Sequence, residues 1–469
     1  MEDRSMQLSD REPSTAVKPV MWEELEQLIA TGQSPERIEA YLAALPVGET
    51  ARVLSRLTDD DRVRLINVLP ADEAAGVIGE LPRPQAVELL ERLAAATAAT
   101  LMHLLPSDVR ADLLGEVRTE TAEAILDAMH PEIASSARAM ACYAPDTAGG
   151  LMITEYLAYP ATATVTDVMD DLRAHADRYR NYSSQYAYVV DRERRLVGVL
   201  RLRDLLLARR TQPVDELMIR NPLAVRADAP LNELEAFFDE RPFFAVPALD
   251  ETGRLLGVVS RDAVKQAGSD RNVDDYRKAQ GIIREELRSM PVLLRARRRL
   301  AWLSINIGLN VIAASVIAVY QDTLASVIAL AVFLPIISDM SGCSGNQAVA
   351  VTMRELTLGV LRPAEVMYVL GKEMLVGIVN GLALGALIAG VAWLWKGNVY
   401  LGLVVGAALA LNTMVAVCFG GTIPLVLKRL RFDPALASGP VLTTVTDMCG
   451  FFLVLSFASM ALEKLTGVA

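Results

Sequence analysis

From Trp22 to about residue 145, apolar residues recur at three and four spacing, and the run is broken by Leu45-Pro46, Leu69-Pro70, Leu81-Pro82 and Leu105-Pro106. The breaks lie 24, 12 and 24 residues apart, all multiples of twelve. Proline after leucine ends one helix and can begin the next, so the pattern predicts a stack of short helices: an all-α, solenoid-like domain over residues 21–145, a scaffold without chemistry. Residues 1–20 are polar, contain Pro and Ser and lack any apolar period, which predicts a disordered tail.

After Asp146 the pattern changes to short strands and helices that repeat once, over 146–212 and 213–268. Tyr186-Ala187-Tyr188-Val189-Val190-Asp191, Leu196-Val197-Gly198-Val199-Leu200 and Arg203-Asp204 are echoed by Val246-Pro247-Ala248-Leu249-Asp250, Leu255-Leu256-Gly257-Val258-Val259 and Arg261-Asp262, at an offset read as 59 residues. This α/β repeat resembles a tandem pair of CBS domains, a family whose modules bind adenine nucleotides or form regulatory dimer interfaces. The resemblance implies that Asp204 holds ribose hydroxyls, that Arg203 meets phosphates and that Tyr186 stacks on a base, with ATP or another adenine nucleotide as ligand. The plainer alternatives are a strand-core role for Tyr186 and a surface role for Arg203.

Residues 269–299 form a charge-laced connecting stretch read as a plug-like helix, with Tyr276, Ile282, Ile283, Leu287 and Leu293 as its apolar stripe. Beyond Leu300 the chain becomes strongly apolar, and 300–469 reads as a polytopic helical membrane domain. Five stretches approach the roughly 20 apolar residues that a bilayer core requires, near 300–320, 324–350, 370–395, 399–427 and 437–462. Arg295, Arg297, Arg298 and Arg299 precede the first, and Lys428, Arg429 and Arg431 separate the fourth from the fifth. The bias toward basic residues on alternate loops puts the N-terminus in the cytoplasm and the C-terminus outside.

Composition sharpens the picture. Hydrophobic residues make up 52% of the 469, concentrated after Leu300. A net charge of −11 argues against a nucleic-acid partner and suits cations. Cys142, Cys343, Cys418 and Cys449 are scattered, which suits small buried hydrophobes in a reducing compartment better than a disulfide or zinc framework. The three histidines, His103, His130 and His175, lie in the soluble part and form no His-Glu-x-x-His motif, so a CBS-linked intramembrane protease is excluded and no enzyme is expected.

The chemistry points to ion transport. Asp447 stands in the middle of the last apolar segment, and a carboxylate at that depth is rarely kept unless it faces water, a partner or a bound cation. Asp433 lies fourteen residues earlier, about 21 Å along a helix. The second segment is broken by Ser338-Asp339-Met340-Ser341-Gly342-Cys343-Ser344-Gly345-Asn346-Gln347, backbone that membrane depth tolerates only when buried or lining water. Mg²⁺ takes oxygen ligands, sheds water reluctantly and suits a few acids in a wet channel.

Helical repeats, two CBS units, a connecting helix and five spans together resemble the MgtE magnesium channel/transporter family over nearly the whole chain. The closest local matches are Ala148-Gly149-Gly150-Leu151-Met152, Gly345-Asn346-Gln347, Asp433-Pro434-Ala435 and Thr443-Thr444-Val445-Thr446-Asp447. The resemblance implies a homodimer in membrane lipid, with an interfacial pore lined by the second and fifth spans. It implies that Asp447 holds hydrated Mg²⁺, that Asn346 lines the path, that Asp433 stands near a cytoplasmic gate and that Asp274 and Asp275 belong to a plug closed by internal Mg²⁺. The chain departs from the family at Asp339, Ser341 and Cys343, which points to altered selectivity toward divalents such as Mn²⁺ or Co²⁺. It also carries Ala96, Thr100, Asn232, Pro242, Ala263, Gln266 and Arg271 where sensing members carry acids, so weakened Mg²⁺ feedback is expected. The competing readings are a CBS-regulated carrier of anions or organic solutes, and a metal-sensing membrane protein without transport.

Overall fold

The computed structural model describes residues 21–46, 49–180, 182, 185–282 and 285–466; the expected tail over 1–20 lies outside the described residues. The chain divides into two compact units, one of residues 1–230 and 241–264, the other of 231–240 and 265–469.

In the first unit, ten short helices from Met21–Ala30 to Pro131–Ala141 enclose one apolar core. The twelve-residue beat is more regular than the Leu-Pro pairs indicate. Leu69, Leu81, Leu93, Leu105, Val117 and Met129 each end a helix in extended geometry, although only Leu69, Leu81 and Leu105 precede proline. Proline restricts the preceding residue to that geometry. At the other corners a buried side chain suffices, as with Val117 and Met129.

Arg110 braces the domain from inside. It is buried, and its guanidinium donates to the carbonyls of Met102 and Leu105, both at 2.8 Å, with Glu155 at 3.7 Å. Arg110→Ala leaves those carbonyls without a donor and is expected to cost about 2–4 kcal/mol, read as a lower unfolding midpoint of the N-terminal unit in a thermal or urea scan.

The Ala148-Gly149-Gly150-Leu151-Met152 motif is a splice between the helical array and the repeat pair. Ala148 and Gly149 donate backbone hydrogen bonds to Ala229 and Ala227 at 2.8 and 2.7 Å. A Cβ on Gly149 would collide with the Tyr143 ring, and one on Gly150 with the Ala144 carbonyl. The repeats form a four-stranded sheet (Leu157–Pro160, Tyr186–Val190, Leu196–Arg201, Ile219–Arg220) and a three-stranded one (Val225–Arg226, Ala245–Leu249, Leu255–Ser260). In each, a parallel pair is followed by an antiparallel hairpin, as expected for an α/β duplication.

The second unit holds the apolar helices. The connecting stretch is not one helix: the Arg261–Ala279 helix stops, Gly281 takes a positive φ of 77°, and Val292–Val319 starts after Pro291. A Cβ on Gly281 would strike the Trp302 indole, so both backbone and packing call for glycine. Tyr276 and Leu293 consequently stand exposed on different helices rather than along one stripe, and Ile283 lies outside the described residues.

Among the described residues, four helices are long and apolar enough to cross a membrane: Val292–Val319, Val366–Lys396, Val399–Arg429 and Pro434–Met460. A fifth, Leu330–Thr357, is 28 residues long but carries the polar break from Ser338 to Gln347. It begins later than the expected 324–350 because a short Gln321–Ser326 helix precedes it. Val399–Arg429 is the central post. Gly377, Gly381 and Gly385 of Val366–Lys396 meet its backbone closely, with a Gly385 Cβ calculated to lie 2.6 Å from the Gly406 oxygen, the small-residue packing that membrane helices use.

Candidate functional site

Asp447 sits near the middle of Pro434–Met460 and is 9% exposed. The Ser338 hydroxyl of Leu330–Thr357 donates to its Oδ1. Behind it, Asn412 of Val399–Arg429 donates through Nδ2 to Ser341 Oγ at 2.5 Å and to the Thr446 carbonyl at 3.0 Å. Gly450, one turn on, leaves room for this amide: a Cβ there would stand 2.7 Å from Asn412 Nδ2. Three helices are thus tied together by polar side chains beside the carboxylate, which Ser338 alone of these contacts. Sequence reasoning missed Asn412, although an asparagine inside Leu409-Ala410-Leu411-Asn412 raises the same burial cost that singles out Asp447.

Asp433 is the N-cap of the same helix. Its Oδ1 accepts from the Ala435 N–H at 2.9 Å, and its Oδ2 meets Lys278 Nζ at 2.9 Å. Burial opposes its charge, but Lys278 and the Ala435 and Leu436 N–H groups outweigh that and hold the carboxyl below the usual range. The same hydrogen bond raises the Lys278 ammonium. Asp274 turns aside to pair with Arg277. Asp275 is half-buried, and burial, with the Asp433 charge adding to it, pushes its carboxyl up against the opposing pull of Arg271, Lys278 and Lys428.

Asp275 and Asn346 line one cavity of about 670 Å³, walled by the connecting helix and by Val292–Val319, Leu330–Thr357 and Pro434–Met460. Its polar wall is rich in carboxamides and hydroxyls, with Asp275 and Arg354 as the charged members. The expected residues therefore fall into four places: Asp275 and Asn346 in the cavity, Asp433 beside Lys278, Asp274 with Arg277, and Asp447 with Ser338. Among the described residues no three His, Cys, Asp or Glu side chains converge as a metal cage.

Asp339, Cys343 and Asn346 lie at i, i+4 and i+7 of Leu330–Thr357 and are exposed. Cys343 is therefore not the packed small residue expected, and Cys142 is exposed too.

On the repeat pair, Arg203 is exposed, with Asp204 at 3.7 Å. Tyr186 is half-buried and packs with Tyr188, Leu255 and Val258, so its ring serves the contact between repeats. Strands of the two repeats correspond at an offset of 59 residues, but Arg261-Asp262 follows Arg203-Asp204 by 58, correcting the single offset read from the sequence. The position of Asp204 on its helix is taken by Ala263 in the second repeat.

Comparisons with known proteins agree along the chain. The family model of the MgtE divalent cation transporter matches residues 334–457, that of the MgtE intracellular N domain 45–146, and that of the CBS domain 148–210 and 214–270. The magnesium transporter MgtE of Thermus thermophilus is 34% identical over 73% of this chain and 76% of its own length. That of Bacillus subtilis is 30% identical over 72% and 75%. A crystal structure of the cytosolic domain of the Mg²⁺ channel MgtE in complex with ATP is 30% identical, covering 52% of this chain and 99% of that one, with a TM-score of 0.48.

Proposed function

The chain belongs to the MgtE family of divalent-cation transporters, and from that premise we propose that it passes hydrated Mg²⁺ across the cytoplasmic membrane through a pore shared by two copies. Its relatives are named magnesium transporters, and the protein is a multi-pass membrane transporter rather than an enzyme. The observation that carries the reading is Asp447, a carboxylate held within an apolar bundle by Ser338. Leu330–Thr357, second in chain order, brings the spans to five: at about 1.5 Å per residue its 28 residues exceed a bilayer core. Its exposed Asp339, Cys343 and Asn346 would be costly against lipid, which supports a second copy and a water-filled path covering that face. The arginines before the first span support a cytoplasmic N-terminus and an outward C-terminus.

Amide and hydroxyl oxygens beside one or two carboxylates suit an ion that keeps its waters. Exposed Cys343 on the same face as Asn346 favours, as a second reading, a share of softer divalents such as Mn²⁺ or Co²⁺; Cys343→Asn is the variant that separates the two. On the repeat pair, the Arg203–Asp204 pair supports ribose and phosphate contacts with an adenine nucleotide, with the half-buried Tyr186 ring as the base-stacking candidate.

Regulation follows from who neutralises the acids. Lys278 neutralises Asp433 across to Pro434–Met460, and Arg277 neutralises Asp274 within the Arg261–Ala279 helix itself, so that helix docks through a protein cation where a bridging metal would otherwise be needed. Weak closure by internal Mg²⁺ is the consequence. Flux into liposomes should fall little as internal Mg²⁺ rises through the millimolar range; strong inhibition contradicts the proposal. Lys278→Met leaves Asp275 and Asp433 facing each other without that ammonium. Its flux should rise about two- to fivefold at low internal Mg²⁺, the scale of a part-exposed ion pair, and become sensitive to internal Mg²⁺.

A further inference from the structure

The helix Val292–Val319 has two unlike faces. Ile305, Ile307, Val311 and Ile312 are exposed and apolar, as a lipid-facing surface requires. Trp302, Asn306, Leu309 and Asn310, spaced along the opposite side, line the 670 Å³ cavity. Asn306 Nδ2 donates to the Trp302 carbonyl at 3.0 Å, which pins the side chain and leaves its Oδ1 as an acceptor. The Asn310 side chain is exposed and makes no hydrogen bond to another described residue. Ser438, across the cavity, is 1% exposed and its Oγ has no protein partner. An unpaired buried hydroxyl such as that of Ser438 costs several kcal/mol in a dry site, roughly 2–7 by transfer scales, and is relieved by water in the cavity that the exposed Asn310 and half-buried Asn306 also line.

We infer that Asn306 and Asn310 are specificity-determining residues of the transport path, reading the hydration shell of the passing cation. The inference rests on the proposed pathway and adds the first span to it as a wall. Waters bound to a divalent cation point their protons outward, and carboxamide oxygens accept them without stripping the ion. The amides of Asn272, Gln280 and Asn346 extend the same lining around the cavity.

The test is initial Mg²⁺ entry into liposomes carrying the full-length protein, with Ca²⁺ as competitor, for wild type, Asn310→Leu, Asn310→Asp, Asn306→Leu and Asp447→Asn. Leucine should slow entry at least about fivefold at subsaturating Mg²⁺ and weaken discrimination against Ca²⁺, while aspartate should lower the half-saturating Mg²⁺ concentration. A purely structural asparagine would move both replacements in the same direction. Unchanged rate, half-saturation and Ca²⁺ discrimination in folded Asn310→Leu and Asn310→Asp, with flux still lost in Asp447→Asn, overturns this inference alone. Wild-type flux that survives Asp447→Asn overturns the pathway reading and this inference with it.

Discussion

Asp447→Asn is expected to reduce Mg²⁺ uptake at least about thirtyfold, because losing a charge that faces a hydrated divalent cation in an apolar bundle removes on the order of 2–5 kcal/mol. The substitution is isosteric, and asparagine still accepts the Ser338 hydroxyl, so the bundle should fold as before. Cellular uptake at limiting external Mg²⁺, with expression and monodispersity checked, reads the effect. Asp339→Asn is the informative contrast. Asp339 is exposed and one residue from Ser338, yet it shares no hydrogen bond with Asp447, so its loss should be several-fold milder. Equal losses at the two positions would mean that net acidity rather than the Asp447 site governs entry.

Gly420→Val should unsettle the bundle itself. A Cβ at Gly420 would overlap the Gly345 carbonyl oxygen, and a Cβ at Gly345 would stand 2.9 Å from the Ala416 oxygen. These obstacles are backbone atoms, so no rotamer relieves them, and Leu330–Thr357 must move away from Val399–Arg429. Those two helices carry Ser338, Ser341 and Asn412, the groups around the carboxylate. Overpacking of this kind costs about 3 kcal/mol or more, a fall in melting midpoint on the order of 10 °C for a domain of this size. Gly390→Ala, where a Cβ meets nothing within 4 Å, should be nearly neutral.

Local rules explain which features were legible in the sequence. Leu-Pro corners act through the backbone of adjacent residues, and the N-terminal array follows them, with Val117 and Met129 keeping the beat where proline is absent. The CBS duplication shows because paired strands repeat their apolar pattern. Asp447 stands out because a charge in an apolar run has no local excuse. What was missed depends on partners distant in sequence. Asn412 matters through Ser341, 71 residues away, and Lys278 through Asp433. The connecting stretch read as one helix because its charges hide the role of Gly281, whose need for glycine comes from Trp302. The packing of Tyr186 against Leu255 and Val258 likewise depends on the other repeat.

The most direct measurement is the initial rate of Mg²⁺ entry, down a fixed gradient, into liposomes containing purified wild-type protein, beside protein-free liposomes and liposomes with Asp447→Asn. Entry well above the protein-free rate in the wild type, falling to that rate in the folded variant, is the predicted result. Wild-type entry no faster than in protein-free liposomes, or equal entry with and without the Asp447 carboxylate, would contradict a magnesium pathway built on that residue.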